Sequence, residues 1–144
     1  MAITTNAICN SFKKELLEAK HDFTQTTGDK FKLAMYTSSA TLGKSTTSFT
    51  TGNQVTSPSG YSSGGGALVN TGTSLATNTA ITDFADLSFT NVTLTARGAL
   101  IYNTSNSNSA VAVLDFGGDK TATSGTFTIQ FPAFTTSAAI LRIA

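Results

Sequence analysis

Six short apolar segments separated by turn residues fill the carboxy-terminal half of the chain, and they constrain the fold more than any other feature. In Thr126–Phe131 the apolar residues Phe127, Ile129 and Phe131 alternate with polar ones, a period of two that predicts a half-buried β-strand. The predicted strands are Ile81–Phe89, Val92–Arg97, Ala99–Tyr102, Val111–Phe116, Thr126–Phe131 and Ala138–Ile143. Turn clusters at Asn103–Ser109 and Gly117–Gly125 separate them. Such a succession is typical of an antiparallel sandwich.

Two of these segments, Ala99–Tyr102 and Val111–Leu114, are apolar at every position. In an antiparallel sheet such strands need a cover on the outer face as well as the inner one. The sequence leaves two covers open: the amino-terminal helix described next, or a partner subunit.

One amphipathic helix is predicted near the amino terminus, over residues 11–23. Its apolar positions, Phe12, Leu16, Ala19 and Phe23, recur at spacings of three and four. Asn10 or Ser11 can serve as the N-cap, and the other faces carry most of the chain's charge.

A seventh strand, Phe31–Tyr36, follows the helix and again alternates with a period of two. Residues 37–66 are rich in Ser, Thr and Gly, which predicts a long loop or short edge strands of high mobility. This segment ends in Gly64-Gly65-Gly66, which lacks the Lys-Ser/Thr of a phosphate-binding loop and is interpreted as a flexible hinge. A short strand at Ala67–Asn70 and a further loop to Ala80 complete the pattern.

The 144 residues fit one domain, predicted to span residues 1–144. Charged residues make up 12% of the chain, about half the usual share, and the formal net charge is +1. Without a strong positive field, nucleic acid is not an expected partner. We therefore predict a mainly β protein, an antiparallel jelly-roll-like sandwich with one short amino-terminal amphipathic helix.

The single cysteine, Cys9, cannot form an intramolecular disulfide and is expected to be a small buried apolar residue. No run of about 18 apolar residues suits a membrane span, and the first residues lack the basic start of a secretory signal. Assembly in the cytosol, without export or membrane insertion, is the expectation.

Motifs with chemical meaning have simpler structural interpretations here. Asp115-Phe116-Gly117 matches a kinase metal-binding triplet, but the other kinase motifs are missing. Ser11 and Lys14 match a Ser-x-x-Lys pair, which helix capping explains. The only histidine, His21, is predicted to lie at the helix end, where a cation favours the helix dipole. No catalytic residue, metal ligand or cofactor site is predicted, and the chain is expected not to be an enzyme.

Several runs resemble short structural proteins of tailed bacteriophages. The strongest match is Ala96–Asn103, followed by Ala110–Lys120 and Phe127–Pro132, and Phe12–Leu17 and Phe31–Thr37 are also similar. The resemblance covers most of the chain outside the Ser/Thr-rich segment. It implies a virion component, and the better understood members of that family are head decoration or cement proteins with a jelly-roll fold.

A decoration protein of that kind sits on the outer capsid surface as a homodimer or homotrimer and binds the major capsid protein. Either the helix, residues 11–23, or the mobile residues 37–66 are predicted to make the capsid contact. The predicted contact residues are Phe12, Lys13, Leu16, Leu17, Phe23, Phe49, Tyr61, Leu100 and Tyr102. An alternative is a receptor- or glycan-binding module of a tail or fibre, for which Phe49 and Tyr61 are the loop aromatics available.

Overall fold

The computed structural model describes residues 3–144, and its strands form two antiparallel sheets with one short helix. This confirms the predicted fold class, a mainly β antiparallel sandwich with one short amino-terminal helix. The strands are β1 (Ala7–Ile8), β2 (Phe31–Tyr36), β3 (Gly66–Ala67), β4 (Asn70–Ala76), β5 (Thr79–Phe84), β6 (Leu87–Asn103), β7 (Ser109–Ile129) and β8 (Leu141–Ile143), and the helix is α1 (Asn10–Leu17).

The larger sheet has the order β1-β7-β6-β2-β3, and the smaller one has the order β4-β5-β8. A long hairpin of β6 and β7 dominates the larger sheet, with its turn at residues 104–108. That turn agrees with the predicted cluster at Asn103–Ser109. All described strand pairs are antiparallel, and two of them, β4–β5 and β6–β7, are hairpins with short connections.

Several predicted boundaries are wrong because local turn residues are absorbed into longer strands. The segments predicted as Val92–Arg97 and Ala99–Tyr102 are one strand, β6, in which Gly98 pairs with both Tyr36 and Asp115. Gly117–Gly125, predicted as a turn, lies within β7, where it is accommodated by irregular pairing with β6.

The predicted strand Ile81–Phe89 is divided between the two sheets. It ends as β5 at Phe84, crosses over at Ala85 and Asp86, and restarts as β6 at Leu87. The crossover is fixed by hydrogen bonds, since Ala85 N–H donates to the Val69 carbonyl and Asp86 accepts from Phe131 N–H. The loop predicted before Ala80 is instead the β4–β5 hairpin, and only the last three residues of predicted strand Ala138–Ile143 form a strand.

The helix is shorter than predicted. Cys9, rather than Asn10 or Ser11, occupies the N-cap position, and α1 ends at Leu17. Ala19 then has a φ of 58°, a left-handed conformation that ends helices. Phe23 is buried as its spacing predicts, but it reaches the core from the loop after the helix.

Both faces of the two-sided strands are covered by this chain. Adjacent strand residues point to opposite faces, so Asn103 and Tyr102 of β6 lie on the two faces of the sheet. Asn103 contacts His21, next to α1. Tyr102 stacks on Phe49, with ring centroids 4.6 Å apart. The helix segment therefore covers one face and residues 37–66 cover the other.

The Ser/Thr-rich segment is a loop over most of its length, as predicted, and it is packed onto the sheet. Val55 N–H donates to the Met35 carbonyl, and Phe49 N–H donates to the Asn108 carbonyl. The interpretation of Gly64-Gly65-Gly66 as a flexible hinge is wrong. Gly65 has a φ of 81°, and a Cβ there would lie 1.8 Å from the Leu33 carbonyl oxygen, so glycine is required for the close approach of the chain to β2.

Candidate functional site

A cluster of aromatic rings joins the helix segment to both sheets and forms the base of the candidate site. Phe23 stacks on Phe31 of β2 with centroids 4.6 Å apart and meets Phe12 of α1 edge to face at 6.0 Å. Phe84 of β5 packs against Phe31 at 5.7 Å. Rings of this size bury large apolar areas and prefer such tilted or offset contacts. The cluster therefore fixes the position of α1 relative to the smaller sheet.

An apolar groove of about 560 Å³ opens above this base, between α1 and the smaller sheet. One wall is Ile8 together with Leu16 and Leu17 of α1, and the other is formed by β5 and β8. Leu17 is 91% exposed and Ile143 is 63% exposed, although both are large apolar side chains. The full lining is Ile8, Phe12, Lys13, Leu16, Leu17, Phe23, Thr73, Ala80, Ile81, Thr82, Leu141, Arg142 and Ile143.

Two smaller cavities continue this groove along the open side of the sandwich, and Ile8 and Arg142 line all three. Here β1, an edge of the larger sheet, and β8, an edge of the smaller sheet, lie on either side of the cavities. We call the groove and these two cavities together the β1–β8 seam. Contiguous exposed apolar surface of this kind marks an interaction site.

The charges at the seam are of one sign. Lys13 and Arg142 are the charged side chains among the residues that line the three cavities. Arg142 donates to the carbonyl oxygen of Ser137 at 3.0 Å, and Lys13 donates to Asn10 Oδ1 at 3.4 Å. Both partners are neutral, and neither cation forms an ion pair with an acidic side chain of the described residues.

A buried polar cluster holds the other side of α1. Asn103 Nδ2 donates to His21 Nδ1 at 3.0 Å and to Asp29 Oδ2 at 2.7 Å. The imidazole proton is therefore on Nε2, which lies 3.3 Å from Glu15 Oε2 without hydrogen-bond alignment. Contrary to the sequence prediction, His21 is not at the helix end but is buried in the loop beyond it, against the ring of Phe12.

This cluster predicts a loss of stability in acid. Burial lowers the pKa of His21, although the carboxylates of Glu15 and Asp29 act in the opposite direction. The unfolded chain thus binds more protons at His21 than the folded one, and the stability contributed by neutral His21 decreases as the pH falls below about 6.5. Protonated Nδ1 would also face the Asn103 amide, donor against donor.

The comparison that tests this is the urea unfolding midpoint of the wild type and of His21→Gln, from neutral pH down to about pH 5. We expect the difference between the two proteins to shrink or reverse as the pH falls. Burial raises the pKa of Asp83, which favours the folded state in acid, but Asp83 is present in both proteins and cancels. A constant difference would contradict the assignment.

The nine predicted contact residues fall into two groups. Phe12, Lys13, Leu16, Leu17 and Phe23 line the groove, Phe12 and Phe23 as its buried base. Tyr61, Leu100 and Tyr102 are buried, so their side chains are not available to a partner in this conformation, and Phe49 is half-buried against Tyr102. The sequence reasoning missed Ile8, Ile81, Leu141, Arg142 and Ile143. The apolar character of the four hydrophobic residues and the charge of Arg142 were visible in the sequence, but their meeting with α1 is a property of the tertiary fold.

The other chemically suggestive residues have structural partners. Asp115 pairs with Arg97 at 3.2 Å and accepts from Gly117 N–H within β7, so both contacts are structural. Cys9 is buried, as predicted, and burial raises the pKa of its thiol to about 11. Within residues 3–144, no group of three or more His, Cys, Asp or Glu side chains is placed to hold a metal ion.

Over the same residues, α1 is the sole helix, and it is too short to cross a membrane. Comparisons with family models, curated proteins and solved structures found no match to this chain.

Proposed function

We propose that this chain is a non-enzymatic structural protein of a tailed-phage virion, a head decoration protein that binds the major capsid protein on the outer capsid surface and stabilises it. The observation that supports binding is the β1–β8 seam, where Leu17 and Ile143 are exposed to solvent above the aromatic cluster. The resemblance to short phage virion proteins supports the choice of the capsid as the partner.

The mechanism requires an interface and no reaction. Each copy that bridges neighbouring capsid subunits adds binding free energy to the assembled shell alone, so the shell becomes harder to open. The seam offers apolar side chains on a fixed helix and strand, so little conformational entropy is lost when they are covered. We include a homodimer or homotrimer in the proposal, since repeated copies on a symmetric shell are in mutual contact at symmetry axes.

The alternative, a tail or fibre module that binds a receptor or glycan, is less well supported. It relied on Phe49 and Tyr61 as exposed loop aromatics. The Phe49 ring stacks on Tyr102, and the Tyr61 hydroxyl donates to Gln54 and accepts from the Met35 N–H within the fold. Tyr61 is thus buried, and Tyr102 covers one face of the half-buried Phe49 ring, which leaves little aromatic surface for stacking on a sugar.

Immunogold labelling of intact phage particles with antibody against this chain separates the two. We expect label distributed over the heads, and a preparation of tails separated from heads serves as the control. Label confined to tails or fibres would favour the alternative, and particles without any label would contradict both.

A further inference from the structure

We infer that the β1–β8 seam binds an extended segment of its partner in which apolar and acidic residues alternate, added as a strand along the free edge of β8. This inference deepens the proposed function, on which it rests, by specifying the chemistry of the capsid segment that occupies the seam.

The backbone of β8 forms a free edge of the smaller sheet. Within residues 3–144, β8 pairs with β5 alone, through Leu141, Arg142 and Ile143. One side of its backbone therefore carries hydrogen-bonding groups that no other described strand satisfies. An unprotected edge of this kind is a template for a strand from another molecule.

The cavities beside that edge are lined mainly by apolar side chains. A strand laid along β8 turns every second side chain toward one face, and the groove presents Leu16, Leu17 and Ile143 to such side chains. Its volume of about 560 Å³ lies within the range of about 300–1,000 Å³ that is usual for binding pockets. Apolar residues at alternate positions of the incoming segment would fill it.

The charges at the seam indicate which residues the remaining positions of the incoming strand carry. Lys13 and Arg142 lie at the seam, and none of the side chains that line its three cavities is acidic. Acidic residues on the incoming strand complement them and speed the encounter. A second copy bound symmetrically through the same surface would bring these cations toward their own equivalents, which argues for a different protein as the occupant.

The test uses two short synthetic peptides that share alternating Leu and Ile, with Glu at the polar positions of one and Lys at those of the other. Binding is measured by fluorescence anisotropy on the full chain. We expect the acidic peptide to bind about tenfold more tightly than the basic one. The acidic peptide gains two exposed ion pairs, whereas the basic peptide is repelled at the same two positions, and together these differences amount to about a tenfold ratio in affinity. High salt should reduce the ratio.

The double variant Lys13→Glu, Arg142→Glu should reverse the preference, whereas Lys120→Glu, an exposed lysine outside the seam, should leave it unchanged. Hydrogen exchange distinguishes a strand from a helix in the groove, since strand addition slows exchange at residues 141–143. Equal binding of both peptides, binding of neither, or binding without slower exchange at residues 141–143 would each overturn the inference.

Failure of this inference and failure of the proposed function are separable. The peptide measurements need no phage particle, so a chain that binds capsids but ignores the acidic peptide refutes the segment chemistry alone. A chain that binds the acidic peptide but is absent from virions refutes the capsid role alone.

Discussion

Leu17→Asp should weaken binding of the chain to undecorated capsids by about thirtyfold or more. Leu17 is the most exposed large apolar residue of the described chain, at 91%, and it lies on the groove wall beside Leu16. A central interface side chain of this kind contributes about 2 kcal/mol or more when covered, and each 1.4 kcal/mol is about tenfold in affinity. A carboxylate placed there would in addition be buried on binding.

The matched control is Leu75→Asp in β4. Leu75 is 71% exposed and lies outside the seam, so the same chemical change is made on the same small sheet away from the groove. Cosedimentation with capsids that lack the chain measures both variants, and thermal unfolding checks that each remains folded. Equal losses for the two variants, or full binding by Leu17→Asp, would show that the seam is not the contact surface.

Phe84→Ala should lower the free energy of unfolding by about 3–5 kcal/mol, as large-to-small changes of core aromatic residues do. Phe84 is 3% exposed and is the ring through which β5 reaches the aromatic cluster, with centroids 5.7 Å from Phe31 and 5.6 Å from Phe131. Its loss removes the packing that holds the smaller sheet against the larger one, so capsid binding should weaken together with stability.

Phe134→Ala is the control for this variant, because Phe134 is 41% exposed and should change stability by about 0.5 kcal/mol or less. Urea denaturation measures both. A loss below about 1 kcal/mol for Phe84→Ala would mean that the two sheets are held together by other contacts.

The sequence was most informative where alternation and burial coincide. Phe127 and Ile129 are buried while Thr126 and Thr128 are exposed, as the period of two predicts. In that strand the local pattern and the tertiary packing agree. The strand Phe31–Tyr36 has its predicted bounds, but it is buried on both faces, since Ala34 and Tyr36 are as fully buried as Leu33 and Met35.

Glycine misled the prediction of boundaries. Gly98 suggested a break between two strands, yet it lies inside β6, where glycine is needed because a Cβ would approach the Leu114 carbonyl oxygen to 2.4 Å and Ile3 Cδ1 to 2.8 Å. Gly117 suggested a turn, yet β7 continues through it with a φ of 78°. Close packing against a distant residue and an irregular ladder both require glycine, and a single sequence does not distinguish them from a turn.

The candidate site was half predictable. The apolar spacing of the helix identified Leu16, and Leu17 was among the predicted contact residues, but the opposite wall comes from β8, more than a hundred residues later in the chain. The solvent exposure of an apolar side chain could not be predicted from the sequence either. Leu17 and Leu100 are both apolar, yet Leu17 is 91% exposed and Leu100 is fully buried. Only the packing of the two sheets decides which apolar residues remain at the surface.

Electron cryomicroscopy of capsids decorated with this chain tests the central claim most directly. With the chain fitted into the density, we expect α1 and β8 to face the capsid, and a strand of the capsid protein to lie along residues 141–143. Heads without density for the chain, or density in which the seam faces solvent while another surface contacts the capsid, would contradict the account.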